Sequence, residues 1–318
     1  MRQTDRVRVI GVDEAGLGPY LGPLALGGVA FDVPADWVDK DWWESLAPTV
    51  ARDLAAPFPI DDSKRIFPAK GGREAAARTF AGVLGSLPAA AGRSFNCLES
   101  LLEMLAAECL DEARKEHWFE ECPEFAVIAD AALRDALTSV GVSIADAAFD
   151  LVFPRRFNRL LSKLDNKACV QRSALLPILT RLLSEPNSPP TIRVVVDRLG
   201  GRKFYRLLVE EIAGDAFVMT SIESESVSRY VFEFNGREVE ITFAVGADAF
   251  SLPTALASIV AKYLRECSMA GFNAFWSRRV PGIRPTAGYP GDAQRFRKEV
   301  GPRLKELNLK RTEFWRAR

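Results

Sequence analysis

Two adjacent carboxylates, Asp13 and Glu14, stand where the apolar run V-R-V-I-G-V-D-E (residues 7–14) gives way to glycines. Neighbouring side chains of a strand point to opposite faces, so both acids can reach one site only where the strand ends. Gly16 and Gly18 follow, and glycine permits a sharp departure of the chain and the close approach of a ligand to the backbone. This stretch therefore indicates a strand end that presents two carboxylates to a ligand.

A second apolar run, T-I-R-V-V-V-D (residues 191–197), also ends on an acid, Asp197. Such runs are typical of strands buried on both faces of a sheet, and ligands of open α/β sheets bind beyond the carboxyl ends of the strands. If the two strands are neighbours, Asp13 and Asp197 lie close together and repel each other. A hard divalent cation, Mg²⁺ or Mn²⁺, removes that repulsion, and two such ions can support phosphoryl transfer. The alternative is that each acid caps a helix or a turn.

Histidine and cysteine offer little further chemistry. The single histidine, His117, lies in an acidic segment, so a histidine-rich zinc site is excluded and a Ser-His-Asp triad would have to use that one residue. The cysteines are spaced too widely for a C-x-x-C motif, and we interpret them as buried or indifferent thiols. They are Cys97, Cys109, Cys122, Cys169 and Cys267. We expect carboxylates to be the catalytic groups of this chain.

Charge is balanced in total but divided along the chain, with 42 basic and 42 acidic residues. Residues 97–150 hold thirteen acids against three Lys or Arg, whereas residues 277–318 hold twelve Lys or Arg against four acids. This division favours a basic face at the C-terminal end, although two solvated helical faces of opposite sign give the same pattern. No apolar run has the length of a membrane span, and the first residues lack the apolar stretch of a signal peptide. We therefore expect a cytoplasmic protein without membrane contact.

The elements that must position these acids form a mixed order of strands and helices, which predicts an α/β or α+β domain with a central sheet and insertions. An Asn-Gly pair between two alternating runs predicts a hairpin over residues 225–243. We predict further strands at residues 7–14, 24–31, 147–153 and 191–197, and helices at residues 68–84, 97–117, 166–183, 202–213, 253–276 and 291–307.

Several motifs resemble those of the type 2 ribonuclease H family, in the family order and over nearly the whole chain. D-E-A-G-L-G-P (residues 13–19) resembles the family signature D-E-A-G-R-G-P, and Asp62-Ser63-Lys64 is similar to its D-S-K motif. The segment that contains Asp197, V-V-V-D-R-L-G-G, resembles the family's V-D-x-x-G strand end, and A-L-A-S-I-V-A-K-Y-L-R-E (residues 255–266) resembles its A-S-I-x-A-K-x-x-R-D helix. Residues 286–296 and 309–315 are similar to the family's K-G-Y-G-T and H-R-x-S-F segments.

The resemblance implies an RNase H-like mixed central sheet flanked by helices, with four carboxylates around two Mg²⁺ or Mn²⁺ ions. It implies endonucleolytic hydrolysis of the RNA strand of RNA–DNA hybrids, or cleavage at ribonucleotides embedded in duplex DNA. The catalytic and metal-binding acids carried over to this chain are Asp13, Glu14, Asp197 and Glu266. At the last position the family has Asp, so Glu266 places the same group one methylene further from its helix.

The resemblance also implies a set of nucleic-acid contacts. The backbone of Gly16, Leu17 and Gly18 would read the ribose 2′-hydroxyl, although Leu17 stands where the family has Arg and a cationic contact is lost. Tyr289 would pack on the sugar at the RNA–DNA junction. Lys262 lies one turn before Glu266 and would pair with it or approach a phosphate. The remaining predicted contacts to the nucleic-acid backbone are Ser63, Lys64, Arg295, Lys298 and Arg311.

The chain is long for this family, and we divide it into a first core part (residues 1–84), an acidic and mainly helical insertion (85–165), a second core part with the extra hairpin (166–276) and a basic C-terminal segment (277–318). The acidic insertion would face away from nucleic acid, bind a partner protein or mask the site. Two alternatives to the nuclease stay open. They are a non-catalytic nucleic-acid-binding homologue and a nuclease of the same fold with another nucleic-acid substrate. Oligomeric state is not predicted.

Overall fold

A computed structural model describes residues 6–121, 126–164, 166–200 and 204–317. Cys122, the predicted boundary at residue 165 and the first residues of the helix predicted from residue 202 lie outside these ranges. The strands are β1 Arg6–Ala15, β2 Leu24–Pro34, β3 Val50–Ala51, β4 Phe58–Pro59, β5 Ser94–Phe95, β6 Val127–Ile128, β7 Ser143–Val152, β8 Thr191–Asp197, β9 Met219–Glu223, β10 Val227–Phe234 and β11 Arg237–Ala244. The helices are α1 Trp42–Leu46, α2 Ser63–Ile66, α3 Gly72–Ser86, α4 Leu98–Leu105, α5 Leu110–Ala113, α6 Ala132–Ser139, α7 Pro154–Leu164, α8 Lys167–Ser184, α9 Arg206–Ala213, α10 Leu252–Arg279 and α11 Pro290–Glu306.

Seven strands form one mixed sheet in the order β7-β2-β1-β8-β11-β10-β9. β1, β8 and β11 run parallel at its centre, and the strands on either side of them pair antiparallel. The prediction of an α/β fold with a central mixed sheet flanked by helices is confirmed. Parallel neighbours bring their carboxyl ends to the same edge of the sheet, which is the property that matters for the predicted acids.

Each face of the sheet packs against its own hydrophobic cluster. One cluster joins the sheet to α10, α3 and α4, and the other joins it to α8 and α9. Gly11 of β1 allows α10 to approach very closely, because a Cβ at that position would lie 2.0 Å from the carbonyl carbon of Pro253. Within the described residues, no helix combines the length and apolar character needed to cross a membrane.

One predicted helix is shorter in the structure. The helix predicted over residues 97–117 ends at Leu105, and the chain turns at Ala106 so that Cys109, Leu110 and Ala113 enter the same hydrophobic cluster. The hairpin interpreted as an insertion is joined to the sheet, because β11 pairs in parallel with β8 along its whole length. β7 likewise lies within the range assigned to the acidic insertion but pairs with β2 in the main sheet. The hydrophobic pattern of the sequence predicted the positions of these strands but not the strands with which they pair.

Candidate active site

The three central parallel strands each deliver carboxylates to one edge of the sheet. Val12 of β1 lies opposite Val196 of β8, so Asp13 and Asp197 stand at adjacent strand ends. Ala244 of β11 lies opposite Asp197, and the chain continues from there to Asp248. The third acid-bearing strand end is thus β11, and its carboxylate was not among the predicted site residues.

The turn that carries Asp248 is fixed on both sides. The Ala247 amide donates to Asp197 Oδ1 at 2.8 Å, which ties the turn to the end of β8. On the other side, Arg52 Nη2 donates to the Ala249 carbonyl at 2.6 Å, and its guanidinium stacks 3.8 Å from the ring centroid of Trp43. Asp248 itself is 5% exposed, and its Oδ2 has no hydrogen-bond partner among the described residues. A buried carboxylate oxygen without a donor is a position where a cation is favourable.

The carboxylates at this edge repel one another. Burial, followed by the charge of Asp197, raises the pKa of Asp13 well above its ordinary value. Burial and Asp197 raise the pKa of Glu14 to about 7, although a hydrogen bond from Gln171 Nε2 opposes the shift. Burial, Asp62 and Asp197 raise the pKa of Asp248 to about 6. Asp197 therefore acts on the other three groups, which places all four in one region.

The predicted D-S-K motif lies beside this group. Partial burial works to lower the pKa of Lys64, but the carboxylates of Asp62, Asp248, Asp13 and Asp197 outweigh it and raise that pKa. The Ser258 hydroxyl on α10 lies between the Asp13 carboxylate and Ser63 Oγ, 2.9 Å from the latter. Lys64 is thus a cation beside the cluster of acids, and Ser63 is buried next to the hydroxyl that contacts Asp13.

Glu266 lies elsewhere, contrary to the predicted four-acid group. Its carboxylate pairs with Lys262 at 3.0 Å, with Arg265 at 3.5 Å and with the exposed Arg73 at 3.7 Å. Lys262, which was predicted either to pair with Glu266 or to approach a phosphate, forms the ion pair in the structure. Asp13 meets α10 at Ser258, and Glu266 lies eight residues further along the helix, about two turns or roughly 12 Å beyond that contact. The position of the fourth carboxylate is taken by Asp248.

The donor set fits hard divalent cations, since every candidate ligand is a carboxylate oxygen. Across the described parts of the chain, no three acidic, histidine or cysteine side chains are gathered closely enough to hold one ion as they stand. The charge of Asp197 raises the pKa of Asp13, Glu14 and Asp248, and Asp248 Oδ2 has no hydrogen-bond partner among the described residues. Neutralisation by a cation therefore agrees with the chemistry of the group.

The glycine loop that follows β1 is held by two buried arginines. Arg265 Nη2 donates to the carbonyls of Leu21 and Ala287, and its Nε donates to Pro23. Arg316 Nη2 donates to the carbonyls of Gly16 and Pro19. The loop is so closely packed that a Cβ on Gly16, whose φ is +87°, would lie 2.3 Å from Arg265 Nε. The conformation of the loop is therefore determined by the two buried arginine side chains beneath it.

The three predicted loop residues differ in exposure. Gly18 is exposed, and a Cβ built on it would meet nothing within 4 Å. Leu17 is half-buried and packs against the α8–α9 cluster, with its Cδ2 3.3 Å from a Cβ built on Gly200. The leucine therefore anchors the loop at the position where a family member would carry a cation.

A cavity of about 330 Å³ adjoins the acids and contains several of the predicted nucleic-acid contacts. Tyr289, at the start of α11, is 48% exposed on its wall. The charged residues of the wall are Lys64, Arg73, Lys262 and Glu266. Three cations against one carboxylate make this wall suitable for a phosphate group.

The predicted C-terminal contacts are not equally available. Arg295 is engaged by Asp292 and Glu299, each at 2.7 Å, and also donates to two backbone carbonyls. Lys298 and Arg311 are exposed. A phosphate would have to compete with two carboxylates for Arg295, whereas the other two side chains face solvent.

Sequence reasoning missed Asp248, Gln171, Ser258 and Arg316. Asp248 follows an apolar run, I-T-F-A-V (residues 241–245), and so carries the same signal that identified Asp13 and Asp197. The signal gains its meaning only from the parallel pairing of β11 with β8, which the sequence does not show. Gln171 and Arg316 carry no comparable signal, since their roles arise from contacts between parts of the chain more than 150 residues apart.

No family model and no curated protein matches the sequence. The chain is similar to the solved ribonuclease H2 of Pyrococcus horikoshii, with 17% identity, a TM-score of 0.48, and coverage of 96% of this chain and 92% of that chain. It is similar to RNase HII of Archaeoglobus fulgidus, solved as a complex with PCNA, with 16% identity, a TM-score of 0.42, and coverage of 98% and 94%. It is also similar to RNase H3 of Aquifex aeolicus, with 15% identity, a TM-score of 0.41, and coverage of 98% and 71%.

Proposed function

We propose that this protein is a divalent-metal-dependent endonuclease of the type 2 ribonuclease H kind. It would hydrolyse the RNA strand of RNA–DNA hybrids or cut at ribonucleotides embedded in duplex DNA. The observation that carries the proposal is the meeting of three parallel strand ends, which brings Asp13, Asp197 and Asp248 together as mutually repelling, buried or half-buried carboxylates. The sequence motifs around these strands support the same activity.

Four carboxylates would hold Mg²⁺ or Mn²⁺: Asp13, Glu14, Asp197 and, in place of the predicted Glu266, Asp248. Such ions, when bound, acidify an attacking water and neutralise charge on the leaving 3′-oxygen. No histidine base is needed, which agrees with the presence of a single histidine in the chain.

The protein's own groups orient these ligands. Gln171 donates to Glu14 Oε2, the Ala247 amide donates to Asp197 Oδ1, and Ser258 bonds to Asp13, so that three of the four carboxylates are held by hydrogen bonds. Lys64 partly offsets the negative charge before a cation or a substrate arrives. A phosphate that approaches the site would therefore meet an ammonium group at its rim.

RNA differs from DNA by its 2′-hydroxyl, and the protein must read that group to act on ribonucleotides. We assign this reading to the backbone of Gly16, Leu17 and Gly18 together with Tyr289, which lies in the adjoining cavity. Lys64, Lys298 and Arg311 would contact phosphates, and Lys262 would act within the charged wall of the cavity.

The direct test is cleavage of matched duplexes with Mg²⁺ or Mn²⁺: a DNA duplex with one ribonucleotide, an RNA–DNA hybrid, double-stranded RNA and DNA. We expect cleavage of the first two, with 3′-hydroxyl and 5′-phosphate products. Binding without cleavage would support a non-catalytic homologue instead. Preferential cleavage of double-stranded RNA or DNA would indicate a nuclease with another substrate.

Asp197→Asn should reduce cleavage at least about a hundredfold while leaving duplex affinity nearly unchanged, because the substitution removes a charge at the centre of the acidic group. The matched control is Asp215→Asn, which alters an exposed carboxylate in the turn after α9. Retention of most activity by Asp197→Asn, with the control unaffected, would refute the carboxylate assignment.

A further inference from the structure

The C-terminal tail is fixed against the glycine loop. Trp315 stacks on Tyr20 with ring centroids 4.9 Å apart, and the Arg316 amide donates to the Tyr20 carbonyl at 2.8 Å. Asn158 of α7 holds the tail from outside, since its Nδ2 donates to the carbonyls of Thr312 and Trp315 at 2.7 and 2.8 Å. The tail therefore has a defined position beside residues 16–21.

The side chain at the end of this tail is buried beneath the loop. Arg316 is 1% exposed, and its guanidinium lies 4.9 Å from the ring centroid of Phe157. Nη2 donates to the carbonyls of Gly16 and Pro19, while Nε and Nη1 have no partner among the described residues. Burial of a guanidinium with unpaired donors is costly, so the two carbonyl contacts and the nearby Glu14 must hold it there.

The carbonyl contacts determine where the loop amides point. In a trans peptide the N–H points opposite to the carbonyl of the preceding residue. Because the Pro19 carbonyl points to Arg316, the Tyr20 amide must point away from it, and that amide indeed donates to the Gly288 carbonyl at 2.8 Å. By the same geometry, the Gly16 carbonyl at 2.6 Å from Nη2 turns the Leu17 amide away from Arg316.

We infer that Arg316 is a positioning residue for substrate discrimination: it holds the Gly16 and Pro19 carbonyls inward and thereby presents the Leu17 amide to the sugar of a bound strand. The inference rests on the proposed function. The Leu17 side chain packs into the α8–α9 cluster, so the backbone amide is the polar group that this residue offers to a ligand. The C-terminal tail thus takes part in choosing between ribose and deoxyribose without touching the substrate.

The test compares the affinities of the full chain for a DNA duplex with one ribonucleotide and for the all-deoxy duplex, by fluorescence anisotropy in EDTA. Arg316→Met should lower the ribo/deoxy affinity ratio about fivefold to tenfold, which is the effect of losing one well-aligned hydrogen bond. Arg316→Lys should recover part of the ratio, because an ammonium can still donate to one carbonyl. Arg134→Met, at an exposed residue of α6 paired with Asp135, is the matched control.

If Arg316→Met does not fold, Asn158→Ala is the second test, because it releases the C-terminal tail while keeping Arg316. It should also lower the ribo/deoxy affinity ratio. An unchanged ratio in a folded Arg316→Met or, failing that, in Asn158→Ala overturns the inference. The proposed function is tested separately by the unmodified protein. If it neither prefers nor cleaves the ribonucleotide duplex, the proposed function fails, whereas a preference that survives both substitutions removes only the role of Arg316.

Discussion

Two carboxylates separated by eighteen residues, Asp248 and Glu266, have opposite surroundings. Asp248 is buried near Asp62 and Asp197, which raise its pKa, whereas Glu266 is surrounded by Lys262, Arg265 and Arg73. A carboxylate among carboxylates gains most from a metal ion, and a carboxylate among cations is already neutralised. These surroundings favour Asp248 as the ligand and give Glu266 a role in shaping the cavity wall.

Asp248→Asn should therefore reduce metal-dependent cleavage about a hundredfold, and Glu266→Gln should change it by no more than about fivefold. The two substitutions remove one charge each and keep side-chain volume, so each serves as the control for the other. The measurement is kcat/KM on a ribonucleotide-containing duplex, with circular dichroism to verify folding. The reverse order of effects would restore Glu266 to the metal site.

Among the elements, the turn before β11 could be predicted from the sequence, whereas the strand that pairs with β11 could not. The Asn235-Gly236 turn was located from its sequence, and both residues have the left-handed φ, 50° and 74°, that such a turn requires. The partner of β11 could not be read in the same way, because its pairing with β8 joins segments more than forty residues apart. Without knowledge of that pairing, the sequence does not place Asp248 beside Asp13 and Asp197.

The contact between β1 and α10 makes a prediction about stability. Gly11→Ala should lower the free energy of unfolding by more than about 3 kcal/mol, because the new methyl would overlap the backbone of Pro253 and Thr254 at the start of α10. Gly301→Ala in α11 is the control, since its Cβ would meet nothing within 4 Å and alanine favours a helix by up to about 1 kcal/mol.

Denaturant unfolding monitored by circular dichroism would measure both changes. If both substitutions changed the free energy of unfolding equally, the close packing of α10 on β1 would be contradicted.

At the scale of the whole molecule, the acidic and basic segments neutralise each other in part. Arg278 and Arg279 at the end of α10 pair with Glu121 of the acidic segment at 3.0 and 2.6 Å. The basic face predicted from the C-terminal composition is therefore smaller than the count of cations implies. The division of the chain into core parts and an acidic insertion stays a prediction, as does a partner protein at that insertion.

The clustered acids also make stability depend on pH. The pKa of Glu14 rises from 4.5 to about 7 and that of Asp248 from 3.8 to about 6 on folding, so the folded state binds these protons more tightly than the unfolded chain. Their contribution to stability is present below about pH 4 and is lost as the pH rises through about 6 to 7. Without metal, the melting temperature of the wild type should fall by a few °C between about pH 5 and pH 8, relative to a Glu14→Gln/Asp248→Asn variant.

Adding Mg²⁺ or Mn²⁺ at about pH 8 should raise the melting temperature of the wild type more than that of the double variant, because the variant keeps only two of the four carboxylates. The comparison with the variant removes the contributions of other titrating groups. Parallel pH profiles for the two proteins would contradict the proposed repulsion among the acids.

The amino-acid pattern was enough to predict the strand that ends at Asp13 and Glu14, the strand that ends at Asp197, the hairpin turn and the helix from Pro253, because each depends on neighbouring residues and on local periodicity. The folded chain alone shows that Asp248 rather than Glu266 joins the acids, that Gln171 supports Glu14, and that Arg316 lies beneath the glycine loop. These relations depend on strand pairing and on packing between distant segments, and the local pattern of residues carries no information about which distant partner a strand or a side chain will meet.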